Sequence, residues 1–286
     1  MSERGETLAY MYEPIIGSQA IAAGELTRGD LRWNYRRIYP DVYVHKSRRL
    51  SIYTRAMAAW LWTDGTGILA GHTAAALHGA ERAQAAPDIE LIGKPKRARP
   101  GVVIRNERIE DDEITPYGRM RLTSPARTAL DLARQLPTDE AIIHLDQLCA
   151  ATELTARDVM ALRLRYRGAR GMATAFRAIR FMDGGARSPQ ESLIRLRLIE
   201  AGLPRPRTSI PLTENWWDDR LGMGWPRYRV GVEWGGHRRS LDRDVRFRDL
   251  LRQEDWQLIE ALPDQQWSHL LSECREALHR RRRRGS

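Results

Sequence analysis

The chain is poor in cysteine and has no long apolar run. Cys149 and Cys274 lie far apart without metal-ligand spacing, so they read as reduced structural side chains rather than a disulfide or a zinc site. No stretch reaches the ~18 apolar residues of a membrane-spanning helix. The opening residues, Met1 to Tyr10, carry Glu3 and Glu6 and lack the cationic start and apolar centre of a secretion signal. No internal repeat, glycine-rich phosphate loop or nucleophile triad is present. These absences predict a cytoplasmic chain with no membrane partner.

What is there is arginine. Lys and Arg exceed Asp and Glu by ten in 286 residues, a balance that suits a polyanion and most simply nucleic acid. Arg-rich composition also follows GC-rich coding, so the charge needs a fold to direct it. With 42% hydrophobic and 29% charged residues, the chain has material for two domains or a little more.

The stretch from Ser188 to Asp249 is the densest in chemistry. Ser188 is placed to cap a helix with Pro189 in its first turn, and Leu193, Leu196 and Ile199 give it an apolar face ending at Gly202. Glu191 then lies in the first helical turn. Strands are predicted at Thr208 to Leu212 and Arg229 to Trp234, with Val230 and Val232 on one face and Gly231 and Glu233 on the other. Gly235 and Gly236 allow a turn after Glu233. A helix from Asp244 to Glu254 and a strand from Gln257 to Ala261 follow. Taken as isolated residues, Glu191 complements a helix dipole and Glu233 is solvated at a strand end.

The order of these elements, the run SPQES from Ser188, the MGWP turn from Met223, the VEWGG run from Val232 and the segment Asp242 to Asp249 resemble the very-short-patch-repair (Vsr) endonuclease group, a branch of the PD-(D/E)XK fold. Residues 12 to 262 are similar to an actinobacterial family that joins an AbiEi-like antitoxin N-terminal domain to such a nuclease-like domain. The resemblance implies a Mg²⁺ site in which Glu191 and Glu233 are ligands. In that family an Asp precedes the Met-Gly-Trp run and another follows the Glu-aromatic pair; here those places hold Gly222 and Gly235. The family's His after the glycine turn is matched by Arg239, with His237 two residues earlier. Mg²⁺ takes oxygen ligands in near-octahedral geometry, and glycine has no side-chain oxygen to offer. Asp218 or Asp219 would have to move in for the site to be complete, yet a one-residue slip of a strand reverses the facing of every side chain.

Residues 14 to 46 direct the charge. Ser18 is expected to cap a short helix through Ala23, Gly24 to break it, and Thr27 to cap a second helix through Tyr35. Ile38 to His45 reads as a hairpin turning at Pro40 and Asp41. Two helices and a two-stranded wing make a winged helix, and the segment resembles the AbiEi-type DNA-binding domain. In such a fold the second helix enters the major groove, offering Arg28, Arg32, Trp33 and Asn34, with Arg36, Arg37, Lys46, Arg48 and Arg49 placed for phosphates. The bland reading is a small helical module whose arginines only solvate it, and Trp33 either packs under the wing or meets a base.

The middle of the chain reads as scaffold. Helices are expected at Ser51 to Trp62 and from Thr73 to Leu77, with His72 and His78 as structural or surface histidines. Alternation from Asp88 to Ile109 suggests a hairpin whose tip is the basic loop Lys94 to Pro100, and Arg119 to Leu122 a short strand. The run Thr123 to Ala133 matches a pattern of the same family, and Arg127 and Asp131 inside it are spaced for a helix-surface ion pair. Further helices are predicted at Thr138 to Thr152, Thr155 to Arg165, Gly171 to Phe181 and Asp264 to Leu278. Asp183, Gly184 and Gly185 read as a flexible joint, and Arg280 to Arg284 as a terminal charge run of the kind that is usually disordered.

The predicted fold is therefore α+β and multidomain: a winged helix at 12–50, an AbiEi-like α/β and helical region at 51–183, a restriction-endonuclease-like domain at 184–279 and a basic tail at 280–286. The leading functional reading is a DNA-binding protein whose nuclease domain is degenerate, with Arg238, Arg239, Arg243, Arg246 and Arg248 around the old active-site mouth. One alternative is a Mg²⁺-dependent DNA endonuclease with Glu191, Glu233 and either Asp218 or Asp219 as ligands and His237 as base. Another is an AbiEi-type antitoxin and transcriptional repressor with a cognate toxin as partner. The sequence leaves the oligomeric state open.

Overall fold

A computed structural model describes residues 13–94, 96–97, 99–212, 220–236 and 241–284. Among these residues, three separate sheets and the helices packed on them make a mixed α+β chain. None of the described helices is long and apolar enough to cross a membrane.

The first sheet holds β1 (Ile15–Ile16), β2 (Tyr35–Tyr39) and β3 (Val42–His45), antiparallel in the order β1-β3-β2. Between β1 and β2 lie α1 (Gly17–Ala22) and α2 (Arg28–Asn34). Thr27 caps α2 as its sequence predicts: its hydroxyl accepts the Asp30 N–H at 3.1 Å, and the Asp30 carboxylate accepts the Thr27 N–H at 2.9 Å. Ser18 does not cap α1. It lies inside the helix, and its N–H donates to Asp41 in the hairpin turn at 2.9 Å. The helix starts at Gly17, two residues earlier than a Ser18 cap would set it, and Gly17 runs against Tyr43; a Cβ there would fall 2.6 Å from the ring. Leu31, Val42 and Val44 are buried beneath, and Tyr39 stacks on Trp62 with ring centroids 5.2 Å apart.

The second sheet contains β4 (Ile68–Leu69), β5 (Ile89–Ile92), β6 (Val102–Arg105), β7 (Ile114–Tyr117) and β8 (Met120–Thr123), in the order β6-β5-β4-β8-β7. Alanines at 56, 58, 59, 74, 75 and 76 are buried in α3 (Ile52–Trp62) and α4 (Gly71–Leu77), and their small side chains let these helices approach closely. The strands around the basic loop are not a hairpin. β5 and β6 pair in parallel, with Ile89 opposite Val102. Alternation specifies which face a side chain takes, not the direction of the chain. The loop is folded back by Lys96, whose ammonium donates to the Trp62 carbonyl and to Asp64, both at 2.7 Å. His78 Nε2 lies 2.8 Å from the Thr123 carbonyl, and His72 Nδ1 lies 2.7 Å from Glu90, so both histidines have structural partners.

Helices α5 (Pro125–Gln135), α6 (Thr138–Thr152), α7 (Ala156–Ala161) and α8 (Met172–Phe181) follow, the third tightening into a 3-10 turn at Leu162–Leu164. The Arg127–Asp131 pair is not on the helix surface. Arg127 is fully buried, bonded to Asp131 at 2.9 Å and Glu113 at 2.8 Å, and it lies over the Tyr166 ring. This centre ties α5 to the segment between β6 and β7.

The helix predicted from Ser188 is α9 (Pro189–Glu200), with the Ser188 hydroxyl accepting the Glu191 N–H at 3.2 Å. Buried Arg195 on α9 donates to both carboxylate oxygens of Asp146 on α6, at 3.0 and 2.8 Å. The Gly184–Gly185 step beside it is packed, not loose. A Cβ on Gly184 would lie 3.0 Å from the Ala150 nitrogen, and one on Gly185 would lie 2.2 Å from the Thr208 hydroxyl.

The third sheet consists of β9 (Arg207–Pro211), β10 (Arg220–Trp225), β11 (Val230–Trp234) and β12 (Gln257–Ala261), in the order β12-β11-β10-β9; only β11 and β12 are parallel. The Met223–Gly224–Trp225 run is strand rather than turn. Its apolar residues are buried with Val230, Val232 and Ile259, and the turn comes later, at Pro226–Tyr228. Helix α10 (Leu241–Gln253) buries Phe247 and Leu251 against Ile210 and Leu221. The last helix, α11 (Trp267–Arg284), continues through the arginine run instead of ending at Leu278; Arg281 bonds to Asp255 at 2.5 Å and holds it there.

Two measurements check this architecture. Arg127→Ala strands Asp131 and Glu113 without their cation and is expected to lower unfolding free energy by about 3–5 kcal/mol in a denaturant titration; a loss below about 1 kcal/mol would contradict the buried network. His144 gives the pH dependence. Burial first, then the neighbouring His72 ring and Arg82, depress its pKa from 6.5 to about 4, so between those values the unfolded chain binds a proton that the folded one does not. Stability is then full above about pH 6.5 and declines toward pH 4, by roughly 2–3 kcal/mol from this group. Thermal midpoints measured across that range should fall less steeply for His144→Phe than for wild type; parallel slopes would contradict the assignment.

Candidate functional site

Ser188 caps α9, and the cap places Glu191 one turn into the helix with its side chain directed back toward the third sheet. Glu191 is fully buried, and Glu233 on β11 is 5% exposed. Gly222 lies between them on β10. Its N–H donates to Glu233 Oε2 at 2.7 Å, and a Cβ built on it would sit 3.1 Å from Glu191 Oε1 and 3.1 Å from Glu233 Oε2. The three positions singled out in the sequence therefore converge on one point.

A fourth residue, unremarked in the sequence reading, fills that point. Arg187 Nη2 donates to Glu233 Oε1 at 2.6 Å and to Glu191 Oε1 at 3.1 Å, while the Arg187 backbone N–H donates to Glu191 Oε2 at 2.8 Å. A Cβ on Gly222 would lie 3.2 Å from the same Nη2. Burial alone would lower the Arg187 pKa, but the carboxylates of Glu233 and Glu191 outweigh it and raise the value. The Arg187 side chain keeps a third of its surface exposed, so the centre opens to solvent on one side. A cation four residues ahead of a buried acid is the only sequence signal that could have drawn attention to it.

Mg²⁺ does not fit this arrangement as it stands. Among the described residues, Glu191 and Glu233 are the carboxylates that the hydrogen bonds bring to the point, position 222 has no side-chain oxygen, and a guanidinium lies between the two acids. Among the described residues, no group of three or more His, Cys, Asp or Glu is arranged to hold a metal ion. Asp218, Asp219, His237, Arg238 and Arg239 lie outside the described residues. Arg243, Arg246 and Arg248 are exposed on α10, and Arg248 pairs with Asp244 and Glu260, both at 3.2 Å.

The N-terminal candidates divide into two sets. Arg28, Arg32, Trp33 and Asn34 are exposed on α2; Trp33 is 70% exposed, so it does not pack under the hairpin, and the Arg32 guanidinium lies 5.5 Å from its ring centroid. Others serve the local fold. Lys46 donates to the Trp33 carbonyl at 2.7 Å at the end of α2, and half-buried Arg36 donates to the Arg48 carbonyl at 2.5 Å. Arg37 and Arg49 are exposed.

No protein-family model matches the chain, and no solved structure matches it. Two curated relatives from strains of Mycobacterium tuberculosis, the uncharacterized proteins Rv2248 and MT2308, are each 27% identical over 231 residues, which is 77% of this chain and 83% of theirs. The similarity therefore extends over most of both proteins and carries no assigned activity with it.

Glu233→Ala should cost about 2–3 kcal/mol in chemical denaturation, because it leaves the Gly222 N–H unsatisfied and Arg187 with one carboxylate partner. Glu233→Gln, which keeps an acceptor for that N–H, should cost less. Equal losses for the two would show that the charge on Glu233, not its hydrogen bond to Gly222, dominates.

Proposed function

We propose that this chain is a DNA-binding protein built from an AbiEi-like winged helix at 12–50, a middle region at 51–183 and a Vsr-like nuclease-derived domain at 184–279 that binds without cutting. The observation that carries the reading is the outer face of α2. A helix fixed by a capping box, followed directly by a two-stranded hairpin, presents Arg28, Arg32, Trp33 and Asn34 together to solvent. Two guanidiniums one turn apart on an exposed helical face, Arg28 and Arg32, with Trp33 and Asn34 exposed at the end of the same helix, supply donors of the kind that meet base edges and phosphates in a major groove. Trp33, 70% exposed, offers an aromatic face on the same helix. The excess of basic residues adds affinity through counterion release.

The third domain supports binding rather than hydrolysis. Its Glu191–Glu233 pair is satisfied by Arg187, and position 222 has no ligand atom.

The test is a gel-shift titration on duplex DNA over a range of salt, run beside a supercoiled-plasmid assay with Mg²⁺ and Mn²⁺. Wild type should shift the duplex and leave the plasmid intact. Arg28→Ala and Arg32→Ala should each reduce the slope of log affinity against log salt by about 1. Trp33→Ala should weaken binding at every salt concentration, and Arg157→Ala on α7 should change nothing. Unaltered binding in all three α2 variants would rule out the proposed reading helix, and metal-dependent nicking abolished by Glu233→Ala would make the chain an endonuclease.

A further inference from the structure

We propose that Arg187 is the resident cation of the Glu191–Glu233 centre, standing in the place of a divalent metal ion, and that its presence is coupled to glycine at position 222. The inference rests on the nuclease-derived reading of the third sheet. Its first support is geometric: a single nitrogen, Nη2, bridges the two carboxylates, 2.6 Å from Glu233 Oε1 and 3.1 Å from Glu191 Oε1, as one ion shared by two ligands would. Those distances are longer than the ~2.0–2.1 Å of a magnesium–oxygen bond, as expected for a hydrogen-bond donor in that place. The guanidinium also supplies directed donors, so it orients the acids as well as neutralising them.

Charge gives the second support. Two carboxylates with one guanidinium carry a net charge of minus one. Three carboxylates with one divalent ion carry the same. If, as the resemblance implies, an acid once stood at 222, its loss together with replacement of the ion by Arg187 keeps the net charge of these groups the same, whereas either change alone would not. The third support is steric. Position 222 has no positive φ, and a Cβ there would aim at both carboxylates and at Nη2, within 3.1–3.2 Å of each. A longer side chain and the guanidinium would compete for one space. A bare Cβ would ask these side-chain ends to give by a few tenths of an ångström, and glycine leaves the space to the guanidinium.

The test is to restore the other solution. The paired substitution Arg187→Ala with Gly222→Asp removes the guanidinium and adds a third carboxylate. Mn²⁺ binding is followed by electron paramagnetic resonance and by the thermal midpoint, on the full chain, for wild type, the double variant and the double variant carrying Glu233→Gln. Wild type should show no binding that depends on Glu233. The double variant should take up one Mn²⁺ per chain and gain roughly 5 °C at about a hundredfold excess over Kd, and the added Glu233→Gln should abolish both effects. Glu233-dependent Mn²⁺ binding by wild type, or a folded double variant indifferent to the ion, overturns the proposal. Should the double variant fold poorly, wild type decides: Glu233-dependent Mn²⁺ binding by the folded wild-type chain overturns the proposal, and its absence supports it. Duplex binding measured on the same wild-type sample separates the two conclusions, since its loss would remove the DNA-binding reading and leave the metal titrations to decide the identity of the cation.

Discussion

Two buried carboxylates cannot both stay ionised face to face across a sheet and a helix without a cation between them; otherwise one must take a proton. In this chain that constraint falls on Glu191 and Glu233, and Arg187 meets it from the residue just ahead of the α9 cap. The entrance of α9 is consequently determined at three levels at once. Ser188 satisfies the helix backbone, Glu191 returns to the Arg187 N–H, and the guanidinium ties both to β11. The Gly222 N–H closes the set from β10.

Arginine does the same work elsewhere in the interior. Arg195 joins α9 to α6 through Asp146, and Arg127 gathers Asp131, Glu113 and the Tyr166 ring behind α5. Burial raises the pKa of both aspartates, to about 6, although the paired arginines act against it. In a chain with ten more basic than acidic residues, several of the basic groups are thus internal ties. Surface charge and total charge are different quantities here, and only residues such as Arg28 and Arg32, exposed on one helical face, contribute to a partner-facing field.

The helices at Ser51 and Ser188 were legible because caps and apolar spacing are local signals, and β11 was legible from its strict alternation. The proximity of Glu191 and Glu233 was readable only through the resemblance. Three things escaped for physical reasons. β4 is two residues long, too short for alternation to register. The parallel pairing of β5 and β6 has no local pattern, since alternation along a strand does not encode the direction of its partner. Arg187 escaped because its meaning comes from Glu233, far along the chain. The same holds for Arg127, whose spacing to Asp131 fits a surface pair as well as a buried one until Glu113 and Tyr166 close over it.

The last helix changes what the terminal arginines are. Because Arg281 is anchored on Asp255, Arg280, Arg282 and Arg283 stand on a rigid rod with ~1.5 Å of axial rise per residue. A loose tail adapts to any polyanion and gives up conformational entropy each time it does so. A rod has relinquished much of that freedom during folding. Its cations have fixed directions instead: Arg280 and Arg283, one turn apart, share a side of the rod, and Arg282 points to another, so the spacing between charges is set by the helix and not by whatever meets it.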